Sequence, residues 1–313
     1  MSHPDRARVA AARTLLFVPG DRPDRFAKAA SSGADLVIID LEDAVAPGDK
    51  DSARADAAAW LADGNRAVVR VNPPGTPWFE ADLARIAGHG VPLMVPKAQD
   101  PAVLADIAAR TDGRCPLIPL VETALGVERA LDLRTVAGVV RAALGNVDLA
   151  AGLGIAHDDH LALAHARSRL VLASAAAGIA PPVDGVTTAV RDPAALDTDV
   201  THARRLGFTA KLCIHPAQVP SVSDEFTPTP DELRWARRVL DAGESVTMVD
   251  GEMIDRPVLE RARGVLARAT PPGARTPCGA TPGHLAREQP VVRAAPKAAR
   301  PSRKLGSPSI TEP

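Results

Sequence analysis

The chain contains no tyrosine and few other aromatics, five Phe and three Trp in 313 residues. That scarcity separates no function class from another, but other absences exclude more. Its three cysteines, Cys115, Cys213 and Cys278, are odd in number, widely spaced and free of any C-x-x-C pairing. Neither a disulfide framework nor a zinc site is expected, and a reducing cytoplasm is. No apolar run approaches the roughly 18 residues of a membrane-crossing helix. The N-terminal MSHPDRARVAAARTLL carries Arg and Asp where a signal peptide needs a continuous apolar region, so the chain reads as cytoplasmic. No GxxxxGK[ST] or GxGxxG loop is present to cradle a phosphate. Large net charge is missing too: 37 Lys and Arg face 38 Asp and Glu. The segment from Pro271 onward holds seven Arg or Lys against two Glu, a net +5, which leaves the first 270 residues at −6. The body of the chain therefore lacks the basic surface that nucleic-acid binding needs.

What is present is alternation. Apolar runs of strand length occur at 14–18, 36–39, 67–71, 93–95, 117–121, 139–144, 183–190 and 211–214, with helical segments between them. Helix signals sit where this order needs them. Asp100-Pro101 and Asp192-Pro193 each supply a cap with proline at the first helical position, and Gly33, Gly178 and Gly207 supply stops. Residues 158–177 read as one long helix. Eight strands alternating with helices over about 240 residues is the count of a closed TIM (β/α)₈ barrel. The expected organisation is a catalytic barrel over 13–220, a C-terminal helical lid extension over 221–270, and a disordered basic tail over 271–313 with nine prolines.

Polar residues gather just after the strands, at Asp40, Glu42, Arg70, Lys97, Glu122, Asp148 and His215, on what would be the catalytic face. Glu122 and Asp148 each follow an apolar run, 26 positions apart, so adjacent parallel strands would bring both to one end. Hard cations such as Mg²⁺ take one or two carboxylates and fill their remaining positions with water and substrate oxygens. Spacing leaves the alternative open that both acids merely cap neighbouring elements. Two lysines at strand positions, Lys97 and Lys211, keep a metal-independent Schiff-base aldolase in view. The cluster HDDHLALAH (157–165) reads as a solvated helix start, since His160 and His165 fall on different helix faces. Asp255, in the polar connection VDGEMIDRP, suits the exposed acid of a lid with Gly251 as hinge and Met253 and Ile254 as anchor, or else the N-cap of the last helix.

The pieces LLFVPGDRPDRFAKA, DLVIIDLEDAVAPGDKDSAR, VVRVN, VPK, LVETALGV, LGNVDLAAGLG, LGFTAKLCIHPAQV and GEMIDRPV occur in order over about residues 13–269. In these the chain resembles the citrate lyase β-subunit-like proteins of the HpcH/HpaI aldolase group, which also holds the malyl-CoA and citramalyl-CoA lyases. The resemblance implies a Mg²⁺-dependent carbon–carbon lyase, with Mn²⁺ as a substitute, whose metal is held by Glu122 and Asp148 and whose substrate is a CoA thioester. It implies that Arg70 holds the thioester or substrate oxygens, with Glu122 beside it. It further implies that Phe17, Arg22 and Lys28 contact the CoA portion and that the backbone around Ile214 and His215 lines the pocket. It implies a homotrimer or hexamer in which Asp255 covers the adjacent barrel and acts there as acid or base. An alternative within the resemblance is a subunit that works on a citryl-acyl-carrier-protein thioester. One departure is Leu144, where the family usually has an aromatic residue.

Overall fold

A computed structural model describes residues 4–242, 247–249 and 252–269. The expected tail, Cys278 and the hinge glycine Gly251 lie outside those residues. Eight parallel strands close into a barrel in sequence order: β1 (Thr14–Pro19), β2 (Leu36–Asp40), β3 (Val68–Arg70), β4 (Leu93–Val95), β5 (Leu117–Val121), β6 (Ala143–Leu144), β7 (Val183–Asp184) and β8 (Ala210–Cys213). The ring is completed by β1 against β8, with Leu15 opposite Leu212.

Alternation along each strand builds two apolar layers. Leu15, Ile38, Val68, Met94, Ile118 and Leu212 fill the barrel interior, together with Val9 and Ala12 of the first helix (Pro4–Ala11) and its end. Their neighbours Leu16, Val37, Ile39, Val69 and Leu93 pack outward against the helices. Burial on both faces is why these strands read as unbroken apolar runs. The side chain of Arg141 fastens the first helix to the N-terminal end of the barrel, donating to the carbonyls of Ala12 and Pro181 at 2.6 Å.

Three local expectations are corrected. The sixth strand pairs only at Ala143–Leu144, with an isolated bridge from Val139 to Leu117. The seventh ends at Asp184, because Val186 donates its N–H to Asn146 Oδ1 and its C=O accepts from Asn146 Nδ2 instead of continuing the ladder. The long helix begins at Ala164, since Asp159 Oδ1 accepts the N–H groups of Leu161 and Ala162 and holds the preceding residues in turns.

Beyond β8 come the helices Val219–Phe226 and Pro230–Asp241, then β9 (Thr247–Val249) antiparallel to β10 (Glu252–Ile254), and the helix Arg256–Ala269. The polar connection expected at 249–257 thus contains one strand of a two-stranded ribbon. Ile254, Ala236, Val239, Leu259, Ala262 and Val265 form a small core of their own. Arg13, just before β1, donates to Thr227 Oγ1 at 2.8 Å and to the carbonyl of Arg268, which anchors this extension to the N-terminal end of the barrel.

Candidate active site

The C-terminal ends of the strands surround a cavity of about 430 Å³ lined by Phe17, Asp40, Arg70, Glu122, Asp148 and Ile214, among others. Glu122 directly follows β5 and is 4% exposed. Its Oε1 accepts the backbone N–H of Lys97 at 2.8 Å. Gly145 leaves the space it occupies, for a Cβ there would lie 2.4 Å from Glu122 Oε2. Asp148 sits in the first turn of the helix Asn146–Leu153, where an acidic residue is favoured by the helix dipole. That helix follows β6 after Gly145, so both carboxylates come to the C-terminal ends of neighbouring strands, Glu122 directly after β5 and Asp148 in a helical turn rather than at the strand end that the spacing suggested.

Between them lies the ammonium of Lys97. Its Nζ is ion-paired with Asp148 Oδ2 and stands 3.3 Å from Glu122 Oε1. A single point cation therefore reaches both acids. Burial raises the Glu122 carboxyl above its ordinary range, against the opposing charge of Lys97. Two hard oxygen donors that one cation reaches, beside an open cavity for water and substrate oxygens, fit a Mg²⁺ ion.

In the same cavity, Arg70 is held by a planar fork: Nε and Nη2 each donate to Asp40 at 2.6 Å. Its guanidinium also lies 4.8 Å from the centre of the Phe17 ring. Burial alone would ease the proton off, yet the hydrogen bonds and charge of Asp40 outweigh it and hold Arg70 protonated well above its usual range. Of five guanidinium N–H donors, Asp40 takes two, which leaves others for the cavity. Asp40 itself is pinned by the N–H groups of Glu42 and Ala44.

Glu42 completes the cluster. Arg70 Nη1 approaches its Oε2 to 2.9 Å but too far off line for a hydrogen bond, and neither carboxylate oxygen has a donor among the described residues. Burial pushes its carboxyl up to about 8, against the pull of Arg70 and with the push of Glu122 and Asp43. The Arg70 charge is already shared with Asp40, so it cannot compensate fully. Lys50 fixes the loop by donating to the carbonyls of Leu41 and Glu42 at 2.8 and 2.7 Å, and Arg54 turns away to Asp82 and Asp51.

Phe17, Arg70, Glu122 and Asp148 are thus brought together, whereas Arg22, Lys28, His215 and Asp255 are not among the residues that line the cavity. Arg22 folds onto its near neighbour Asp24 in a two-pronged pair. Lys28 is exposed on the short helix Phe26–Ala30. His215 caps the turn Pro216–Gln218 through Nδ1, which accepts the Ala217 N–H at 3.2 Å, while its neighbour Ile214 does line the cavity. Asp255 begins the helix Arg256–Ala269 and accepts the Val258 N–H at 3.3 Å, the capping geometry that the sequence left as one of two readings.

Lys211 is 1% exposed and bound to Asp184 at 3.0 Å, so it is closed off from any substrate. His157 and His160 lie outside a helix; His160 meets Asp199 at 2.7 Å and stacks on His202. Among the described residues no group of three His, Cys, Asp or Glu could hold a metal, and no helix is long and apolar enough to cross a membrane. Sequence reasoning missed Asn146, whose single side chain ties the helix that carries Asp148 to the chain after β7. Its place two residues before Asp148 was the only available signal.

A (β/α)₈ barrel with paired carboxylates and a clamped arginine at the C-terminal ends of its strands is the framework of a barrel enzyme. Residues 13–216 match the model of the HpcH/HpaI aldolase/citrate lyase family, and the chain belongs to that family, a carbon–carbon lyase by class. The citrate lyase subunit beta-like protein of Mycobacterium tuberculosis is 38% identical over 264 residues, covering 81% of this chain and 94% of its own. The (3S)-malyl-CoA thioesterase of Cereibacter sphaeroides is 34% identical over 270 residues, covering 82% and 94%. Among solved structures, Mycobacterium tuberculosis CitE in complex with magnesium, acetoacetate and coenzyme A superposes with a TM-score of 0.73 at 37% identity, covering 83% of this chain and 99% of that one.

Proposed function

We propose that this chain is a Mg²⁺-dependent lyase that cleaves a 3-hydroxyacyl-CoA thioester of the malyl- or citramalyl-CoA type to acetyl-CoA, or a related acyl-CoA, and a 2-keto acid. The observation that carries the reading is one point-cation position shared by Glu122 and Asp148, in a cavity that Arg70 also lines. Related CitE proteins crystallise with magnesium and with coenzyme A or oxaloacetate, which supports it.

Glu122 and Asp148 would hold the ion. Bound there, it supplies Lewis acidity toward the hydroxyl and carboxylate oxygens of the substrate. Arg70 meets the thioester oxygen with N–H groups that Asp40 leaves unused. When a base takes the hydroxyl proton, the carbon–carbon bond breaks, its electron pair passes toward the thioester, and the enolate oxygen faces a guanidinium that stays charged at any working pH. A proton delivered to the terminal carbon completes the acyl-CoA. We assign the proton transfers to Asp255 of a neighbouring subunit in a homotrimer, and the CoA contacts to Phe17, Arg22, Lys28 and the backbone at His215. The anchoring of the extension at the opposite end of its own barrel supports delivery in trans. The compartment that suits this CoA chemistry is the cytoplasm.

Relatives named malyl-CoA thioesterase favour a second reading in which water cleaves the same thioester. Incubating the purified chain with Mg²⁺ and a panel of 3-hydroxyacyl-CoA esters separates the two. Glyoxylate, pyruvate or oxaloacetate formed with an acyl-CoA is the expected outcome; a hydroxy acid with free CoA marks hydrolysis. Turnover that survives chelation and is trapped by borohydride at Lys97 would overturn the metal mechanism. Glu122→Ala and Asp148→Ala are expected to abolish turnover and metal binding while leaving the fold intact, because both side chains stand outside the apolar layers of the barrel.

A further inference from the structure

Among the described residues Lys97 is one of two non-glycine residues with positive φ, at 51°. Left-handed backbone is uncommon for a side chain of this size and persists where surrounding structure imposes it. Here it has two consequences at one residue. The backbone N–H is turned onto Glu122 Oε1 at 2.8 Å, and the side chain reaches the two acids so that its ammonium lies between Glu122 and Asp148. The positive charge thus uses the oxygens that a divalent ion would need.

We propose that Lys97 is a tethered counter-ion that competes with the divalent metal for Glu122 and Asp148, and swings aside when the metal binds. This inference rests on the assignment of those two acids as metal ligands. Two carboxylates brought together at a half-buried site repel each other, and an ammonium a few ångströms away offsets that repulsion before any metal arrives. An entering ion must break the pair with Asp148 and the contact with Glu122, and that loss is subtracted from its own binding. Tethering sets the competitor's local concentration through the chain rather than through the bulk solution. The displaced ammonium, on a flexible four-carbon stem with about a third of the side chain already exposed, has solvent to move into. The backbone half of the device stays in place, because the N–H holds Glu122 whichever way the side chain points.

Mn²⁺ serves as the probe, its binding to the full chain followed by electron paramagnetic resonance and by calorimetry at one fixed pH. Replacing Lys97 by Met removes the charge and keeps the bulk. The expected result is Mn²⁺ binding tighter by about tenfold or more, together with a lower melting temperature in EDTA that saturating Mn²⁺ restores. The two shifts run in opposite directions, which a merely structural lysine would not produce. Lys97→Gly suits the left-handed backbone and retains the N–H to Glu122, so it keeps the experiment decisive should the Met variant fold poorly. Affinity that is unchanged or weaker in both variants, with wild-type binding intact, overturns the inference alone. Absence of Mn²⁺ binding by the wild type overturns the metal assignment and this inference with it. Asp148→Asn, expected to lose Mn²⁺ binding, confirms which site is being read.

Discussion

At the scale of single residues, the site is a chain of unequal partnerships. Asp40 takes the fork of Arg70, Arg70 is thereby positioned over the ring of Phe17, and Glu42 is left with an ill-aimed contact and no hydrogen-bond donor. A buried carboxyl in that position favours its neutral form. Its folded-state value of about 8 lies above its ordinary 4.5. Below the ordinary value both folded and unfolded chains carry the proton and stability is full. Between the two values the unfolded chain loses the proton while the folded chain keeps it, so stability falls as pH rises, and it levels off above the folded value. Glu42→Gln should erase that slope. Denaturant titrations in EDTA from acid to mildly alkaline pH are expected to show the variant gaining on the wild type as pH rises and then holding its lead. Parallel curves would show that Glu42 is ionised throughout and held by Arg70.

At the scale of elements, the shortest strands do the most positioning. β6 and β7 contribute only two residues each to the barrel, and the chain then leaves the ladder for the site. After β6, Gly145 passes so close to Glu122 that an added methyl would lie 2.5 Å from its Cβ. After β7, Gly185 passes so close to Asn146 that a Cβ would lie 2.0 Å from its Oδ1. Gly145→Ala should therefore push Glu122 out of line with Asp148. The expected cost is about 1–3 kcal/mol of stability, the usual penalty of overpacking, with metal affinity reduced by about tenfold or more. Thermal melts and Mn²⁺ titration check both, and a variant that binds metal like the wild type would show that the loop yields without moving the ligand. By contrast the long helices are ordinary. Asp100 and Asp192 cap theirs by accepting the N–H groups of Ala102, and of Ala194 and Ala195, as their Asp-Pro signatures promised.

At the scale of the whole molecule, the barrel supplies binding groups at one end while the extension is anchored at the other. Arg13 ties Thr227 and the end of the last helix to the start of β1, and Arg204 grips Glu232 at 2.7 Å. Asp255 therefore meets a simple test of whether it acts on a neighbour. Asp255→Ala and Asp148→Ala are each expected to be inactive alone. Mixed under conditions that exchange subunits, they should recover activity, because some sites then combine an intact metal pair with an intact aspartate. Failure to recover, with mixed oligomers shown to form by native mass spectrometry, would confine Asp255 to the cap that it forms on Val258.

What the sequence alone determined is the order of strands and helices, the barrel, and the identity of the facing acids. Those follow from local rules: an apolar run buried on both faces is a strand, an Asp-Pro pair starts a helix, and a polar residue directly after a barrel strand faces the catalytic end. Glu122 was legible for that reason, Arg70 as the last residue of its strand, and Asp148 as the acid that follows the sixth apolar run. Only the tertiary structure decided that Lys97 lies between the two acids, that Asp40 and not Glu42 takes the arginine fork, and that Asn146 replaces a strand partner for Val186. It also turned Arg22 onto Asp24 and His215 onto its own turn. These outcomes depend on where long side chains end and on which donors lie within three ångströms, and no periodicity along the chain encodes that. Distances between groups remote in sequence are set by closing the barrel, which is the step that brings them together.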